Sequence, residues 1–90
     1  MRISIFGMGY VGCVSGACLS GLGNEITGVE PNPVKVDLIN AGKSPIVEPG
    51  LDELLAAQVK AGKFRATADW KEAVNSSDLG FICVGTPSRA

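Results

Sequence analysis

Residues 7–12 read Gly7-Met8-Gly9-Tyr10-Val11-Gly12, three glycines at the spacing G-x-G-x-x-G, and no other segment constrains the chain as strongly. The residues just before them, Ile3-Ser4-Ile5-Phe6, are a short β-branched and aromatic run that reads as a buried parallel strand. From Val11 the apolar spacing becomes helical, with Val11, Val14, Cys18 and Leu22 expected on one face and Ala17 and Leu19 beside it. Gly23 stands where a glycine ends a helix. Ile26 to Val29 is the next expected strand, with Glu30 at its end. Strand, glycine turn, helix and strand together make a β-α-β unit of about 30 residues.

In that context the glycines have separate expected roles. Gly7 lets the chain turn sharply out of the strand, Gly9 lets a pyrophosphate approach the backbone, and Gly12 lets the helix pack close to the sheet. Gly16, about one helical turn later, extends that close contact. The N–H groups near Tyr10 and Val11 lie at a helix N-terminus, where unpaired donors and the helix dipole favour an anion. Glu30 stands near the offset of about 20 residues at which an acid accepts hydrogen bonds from an adenosine ribose. A carboxylate there repels a 2′-phosphate, so the expected cofactor is NAD rather than NADP. Lys35, one turn into the next helix, is either a second ribose contact or a solvated lysine, and its charge could offset that preference.

The remaining chain continues the alternation. Asn32-Pro33 is a cap followed by proline at the first helical position; Val36 and Ile39 face inward and Gly42 ends the helix. Leu51, Leu54, Leu55 and Val59 form another helical stripe, with Asp52 and Glu53 early, Lys60 late and Gly62 after it. Phe64 to Thr67 is a third strand, Asp69-Trp70-Lys71-Glu72 a capping box opening a short helix, and Leu79 to Val84 a fourth, buried strand. The order β-α-β-α-α-β-α-β implies an α/β chain: a Rossmann-type doubly wound parallel sheet with right-handed crossovers and strand order 3-2-1-4. Gly85-Thr86-Pro87 then flanks the topological switch point, which places Thr86 on the nicotinamide side of a dinucleotide. Because a doubly wound domain usually has about six strands, residues 1–90 are expected to be the N-terminal part of a larger NAD-binding domain.

Several other readings are weaker. Ile3 to Asn24 lacks charge and follows Met1-Arg2, but Gly7, Gly9, Gly12, Gly16, Gly21 and Gly23 break any targeting or membrane-spanning core. Ala41-Gly42-Lys43-Ser44 imitates the end of a P-loop, yet Asp37 stands where its first glycine is required. A formal charge of −1 gives no footprint for nucleic acid or an anionic membrane. With no histidine and three scattered cysteines, zinc binding is not expected. Cys13, Cys18 and Cys83 are expected to be buried free thiols in a reducing compartment, the cytoplasm, and not nucleophiles. Trp70 is expected to be a packing residue.

Three segments together resemble one family. Met1 to Gly12, Ser44-Pro45-Ile46-Val47-Glu48-Pro49-Gly50-Leu51, and Phe81-Ile82-Cys83-Val84-Gly85-Thr86-Pro87 are similar, in register, to the UDP-glucose/GDP-mannose 6-dehydrogenase family. Within it, the first segment and Lys43 to Leu51 are most similar to the branch acting on GDP-mannose. The resemblance implies an enzyme that oxidises the C6 alcohol of a nucleotide sugar to a carboxylate with two NAD+, the second step passing through a thiohemiacetal on a cysteine. It implies NAD contacts at Tyr10, Val11, Glu30, Lys35 and Thr86, although family members usually carry Asp where this chain has Glu30. It also implies catalytic residues and a substrate domain beyond residue 90, and a homodimer joined through that missing region. UDP-glucose is the alternative substrate. A non-catalytic NAD-sensing domain is the alternative of another class, but it gives no reason for the second and third segments.

Overall fold

The computed structural model describes residues 1–45 and 49–83. Four strands, β1 (Arg2–Phe6), β2 (Glu25–Val29), β3 (Phe64–Thr67) and β4 (Leu79–Ile82), alternate with four helices, α1 (Tyr10–Gly21), α2 (Pro33–Asn40), α3 (Leu51–Lys60) and α4 (Trp70–Asn75). All strand pairs are parallel and the sheet order is β3-β2-β1-β4, as the alternation implied. Ile3, Ile26, Phe64 and Leu79 share one face of the sheet through their register, and Ser4, Thr27, Arg65 and Gly80 share the other.

The core lies on the first of these faces. Ile3, Ile5, Ile26, Phe64 and Ala66 pack there with Cys13 and Ala17 of α1, Ile39 of α2, and Leu51 and Leu55 of α3. Fully burying an Ile, Leu or Phe side chain contributes about 1.5–3 kcal/mol, so these residues hold the three helices on the sheet. After β3 the chain crosses back over β2 and β1 to form β4, and a right-handed crossover in that direction must use the opposite face. Val74 and Ser77, at α4 and its end, accordingly line a groove with Ser4, Phe6 and Gly80.

The helix signals read from the sequence operate as physical stops and starts. The Asn32 side chain accepts from Val34 N at 3.0 Å, with Pro33 at the first helical position. α1, α2 and α3 each end in the same pair of backbone bonds: Gly23 N to Ser20 O with Asn24 N to Leu19 O, Gly42 N to Ile39 O with Lys43 N to Leu38 O, and Gly62 N to Val59 O with Lys63 N to Gln58 O. At α4 the Asp69 carboxylate accepts from Lys71 N and Glu72 N, but the reciprocal half of the box is missing. Glu72 turns instead to the Arg65 guanidinium, and Asp69 N donates to Thr67 Oγ1.

Four expectations need correction. The inward face of α1 is not the expected Val11, Val14, Cys18, Leu22 stripe: Val11, Cys18 and Leu22 are exposed and Val14 is only partly buried, whereas Ala17, expected beside the stripe, is buried with Gly12, Cys13, Gly16 and Ser20. The reason is the closeness of helix to sheet, since a Cβ on Gly16 would lie 2.5 Å from Phe64 Cε2. Only small residues fit at that separation, so the larger side chains point outward. Cys18 is therefore not buried, and Cys83 is only partly so. β4 is not a buried strand, with Leu79, Phe81 and Ile82 all exposed. It pairs with β1 alone, while the helices pack across β1, β2 and β3. Trp70 is 55% exposed and carries the Lys71 ammonium 5.7 Å from its ring centroid, so it contributes nothing to the core. Among the described residues, no helix is long and apolar enough to cross a membrane.

Candidate functional site

The carboxyl ends of β1 and β2 meet at the glycine turn. Gly7 continues the ladder, its N–H donating to Val29 O at 2.9 Å, and then leaves it with φ +102°, a conformation that disfavours any residue with a Cβ. Gly12 is fixed by packing, because a Cβ there would stand 1.9 Å from Gly7 O. Gly9 is different. Its φ is −83°, open to any residue, and among the described residues a Cβ on it would meet no atom within 4 Å. Nothing among the described residues requires glycine at this position. Among the described residues the space around that Cβ position is open.

Gly9 is also the N-cap of α1. It supplies no side chain to the exposed donors, and the first turn carries no acid. Cys13 N bonds to Gly9 O at 2.9 Å, whereas the N–H groups of Tyr10, Val11 and Gly12 find no acceptor among the described residues. The free donors and the positive end of the helix dipole therefore border the open space above Gly9. Tyr10 and Val11 are 55% and 57% exposed, so the turn presents backbone rather than buried side chains. Beside it opens a cleft of about 270 Å³ lined by Tyr10, Val14, Pro49, Gly50, Leu51 and Leu54.

Glu30 lies immediately after β2 and is 7% exposed. One carboxylate oxygen accepts from Met8 N at 3.3 Å and the other from Asn32 N at 3.1 Å. A carboxylate offers about four acceptor positions, so two remain for hydroxyl donors. Met8 is fully buried, and its thioether lies where a side chain on Gly28 would stand. The Cys13 thiol donates to Met8 O at 3.4 Å. Burial pushes that thiol up to about 11, with Lys35 opposing the shift and Glu30 adding to it. Both charges thus act on the first turn of α1 from the β2–α2 side, although Lys35 makes no ion pair with Glu30 among the described residues.

The structure therefore brings together Gly7, Gly9, Tyr10, Val11, Gly12 and Glu30, with Lys35 half-buried nearby. Thr86 lies outside the described residues. The Phe6–Ile82 pairing and the bond from Cys83 N to Phe6 O carry the end of β4 to the same side of the sheet. Sequence reasoning overlooked Met8, the variable position of the glycine motif, and the thiol and carboxylate that hold it. Gly28 was the available sign, since a glycine inside a strand marks a close approach. Among the described residues no cluster of three or more His, Cys, Asp or Glu could hold a metal ion.

An open backbone anion cradle at the switch point of a parallel sheet, with a buried carboxylate one strand away, defines a dinucleotide-binding domain. The model of the UDP-glucose/GDP-mannose dehydrogenase family, NAD binding domain, matches residues 1–90, and the chain belongs to that family. It is 60% identical over 89 residues to GDP-mannose 6-dehydrogenase of Pseudomonas syringae pv. syringae, covering 99% of this chain and 20% of that protein. The UDP-glucose 6-dehydrogenase of Rhizobium meliloti is 46% identical with the same coverage. A crystal structure of a ternary complex of GDP-mannose dehydrogenase from Pseudomonas aeruginosa superposes with TM-score 0.96 at 58% identity, covering 99% of this chain and 20% of that one. The chain thus spans about a fifth of the length of these relatives. NAD is the cofactor of this domain, and the free space over Gly9 and the spare acceptors of Glu30 fit its pyrophosphate and its ribose diol.

Proposed function

We propose that residues 1–90 form the adenosine and pyrophosphate half of the NAD site of a nucleotide-sugar 6-dehydrogenase, and that the sugar nucleotide is GDP-mannose. The observation that carries the reading is Gly9, a glycine that neither its backbone angles nor its neighbours among the described residues require. The N–H groups of Tyr10 and Val11 bind the pyrophosphate, Glu30 accepts from the ribose hydroxyls, Lys35 lends positive charge beside them, and Thr86 meets the nicotinamide side. Gly7 and Gly12 shape the turn. Bound NAD+ supplies a hydride acceptor, and oxidation of a C6 alcohol to a carboxylate uses two of them. The catalytic residues and the sugar pocket belong to segments outside these 90 residues, and the whole protein is a cytoplasmic homodimer. The choice of GDP-mannose is supported by identities of 56–60% to GDP-mannose 6-dehydrogenases, against 46% to a UDP-glucose enzyme.

In the intact protein, NAD+ reduction followed by absorbance is expected with GDP-mannose and not with UDP-glucose. Turnover with UDP-glucose alone would keep the class and overturn the substrate. NAD binding without turnover of either would favour another sugar nucleotide or a sensing domain. The Gly9→Val variant is expected to keep its secondary structure, with at most the modest stability loss of a poorer N-cap, and to lose NAD affinity by more than about tenfold, because its side chain enters the space left for the ligand. Unchanged affinity would remove the role assigned to Gly9.

A further inference from the structure

Glu30 is more than an acceptor waiting at the end of β2. Its carboxylate already holds the glycine turn, through Met8 N at 3.3 Å, and the next loop, through Asn32 N at 3.1 Å. The Met8 N–H has no other acceptor among the described residues, and the residue is completely buried. The β1–β2 ladder ends at the bond from Gly7 N to Val29 O, so the Glu30 side chain extends that ladder by one rung, into the turn itself. Met8 is also held through its carbonyl, by the Cys13 thiol, and through its side chain, which packs over Gly28. Gly9, the N-cap from which the free donors of α1 begin, follows Met8 directly.

We infer that Glu30 is a positioning residue for the pyrophosphate turn as well as a ribose acceptor, so that one carboxylate couples the two ends of the adenosine half of the site. The inference rests on the NAD-binding reading above. A carboxylate that only read the ribose would leave the turn unaffected when it was removed. One that also holds Met8 sets the direction of the N–H groups that follow, whether or not a ribose is present. A diol arriving at the two spare acceptor positions then meets a group already fixed by two backbone bonds, so little order remains to be imposed on binding.

The test uses the intact protein, the variants Glu30→Ala and Glu30→Asp, and two readouts. The first is amide hydrogen exchange at Met8 in the cofactor-free protein, with Ile5 and Val29 as internal controls for global stability. Both variants are expected to raise Met8 exchange by about tenfold or more relative to those controls, since the shorter Asp withdraws from the turn. The second is calorimetric affinity for NAD and for an NAD analogue whose adenosine ribose lacks both hydroxyls. Glu30→Ala is expected to weaken the analogue several-fold, although the analogue has no diol for Glu30 to bind. Unchanged Met8 exchange, or an analogue bound equally by wild type and Glu30→Ala, overturns the inference. Should Glu30→Ala fail to fold, the same two comparisons made with Glu30→Asp decide it. Absence of NAD binding by the wild type would instead overturn the reading of the site, and the exchange measurement would still decide whether Glu30 holds the turn.

Discussion

The three cysteines have three different environments. Cys13 is fully buried, donates to Met8 O, and has a thiol raised to about 11 chiefly by loss of solvation. At pH 8 it is protonated and inaccessible, and the thiolate is the reactive form. Cys18 sits five residues further along α1 on the outer surface, and Cys83 is half-covered at the end of β4. Alkylation with iodoacetamide at pH 8, followed by peptide mass mapping, is therefore expected to modify Cys18 quickly in the native protein. Cys13 should be modified only after denaturation. Labelling of Cys13 at a rate comparable to Cys18 in the native state would contradict both its burial and its bond to the turn. The low reactivity matters for the site, because an adduct on Cys13 would push Met8 out of the position that Glu30 and Gly28 define.

At the level of elements, β3 and β4 are the outer two of the four described strands, and among the described residues a side chain closes β3 alone. Asn40, the last residue of α2, donates through Nδ2 to Ala66 O at 3.0 Å and accepts at Oδ1 from Ala66 N at 2.8 Å. An amide side chain thus takes the place of a neighbouring strand and withdraws both outward groups of Ala66 from pairing with another chain. Asn40→Ala is expected to lower stability by about 1–2 kcal/mol, since two part-buried backbone groups lose their partners. It should also raise self-association at high concentration. Urea unfolding and sedimentation together check this, and an unchanged midpoint would show that water replaces the amide at no cost. Nothing in the sequence announced this contact, because it joins residues 26 positions apart and leaves no local pattern. The elements themselves were legible because their signals are local: Asn32-Pro33, Asp69 and the glycines after α1, α2 and α3 act within a few residues of where they stand. The order of strands followed from chirality and alternation. The inward face of α1 was misread for the opposite reason. Large apolar residues normally mark a buried face, but here distance from Gly16 to Phe64 decides, and only the partner strand sets that distance. The glycine turn and Glu30 were legible as a motif, whereas Met8 and Cys13 were not, since their roles depend on atoms supplied by β2.

At the scale of the whole molecule, the two ion pairs among the described residues both lie beside the long return of the chain from β3 to β4. Arg65 on β3 binds Glu72 on α4, and Arg2 on β1 binds Asp78 just before β4. Arg2 N and Nη2 both donate to the Asp78 carboxylate at 3.2 Å, and Asp78 N donates back to Arg2 O at 2.8 Å. This reciprocal contact starts the β1–β4 ladder one residue before Ile3 meets Leu79. The Arg2 backbone and guanidinium bonds lower the Asp78 pKa, and the Arg65 guanidinium lowers that of Glu72. A folded-state pKa below the unfolded value means that the unfolded chain binds protons more readily. The stability from each pair is therefore present above the unfolded pKa, about 4 for carboxyl groups, and lost as pH falls through the folded pKa. Both carboxylates are exposed, so the effect is small and weakened by salt. Asp78→Asn resembles protonated Asp78 in shape and charge. At pH 7 and low salt the variant is expected to unfold at a lower urea concentration than the wild type, and the two midpoints should approach each other as the pH falls through the folded-state pKa of Asp78. A gap that did not narrow on acidification would show that the contribution of Asp78 does not come from its charge. No gap at pH 7 would show that the neighbouring ladder bonds from Ile3 to Phe6 hold β4 in register without it.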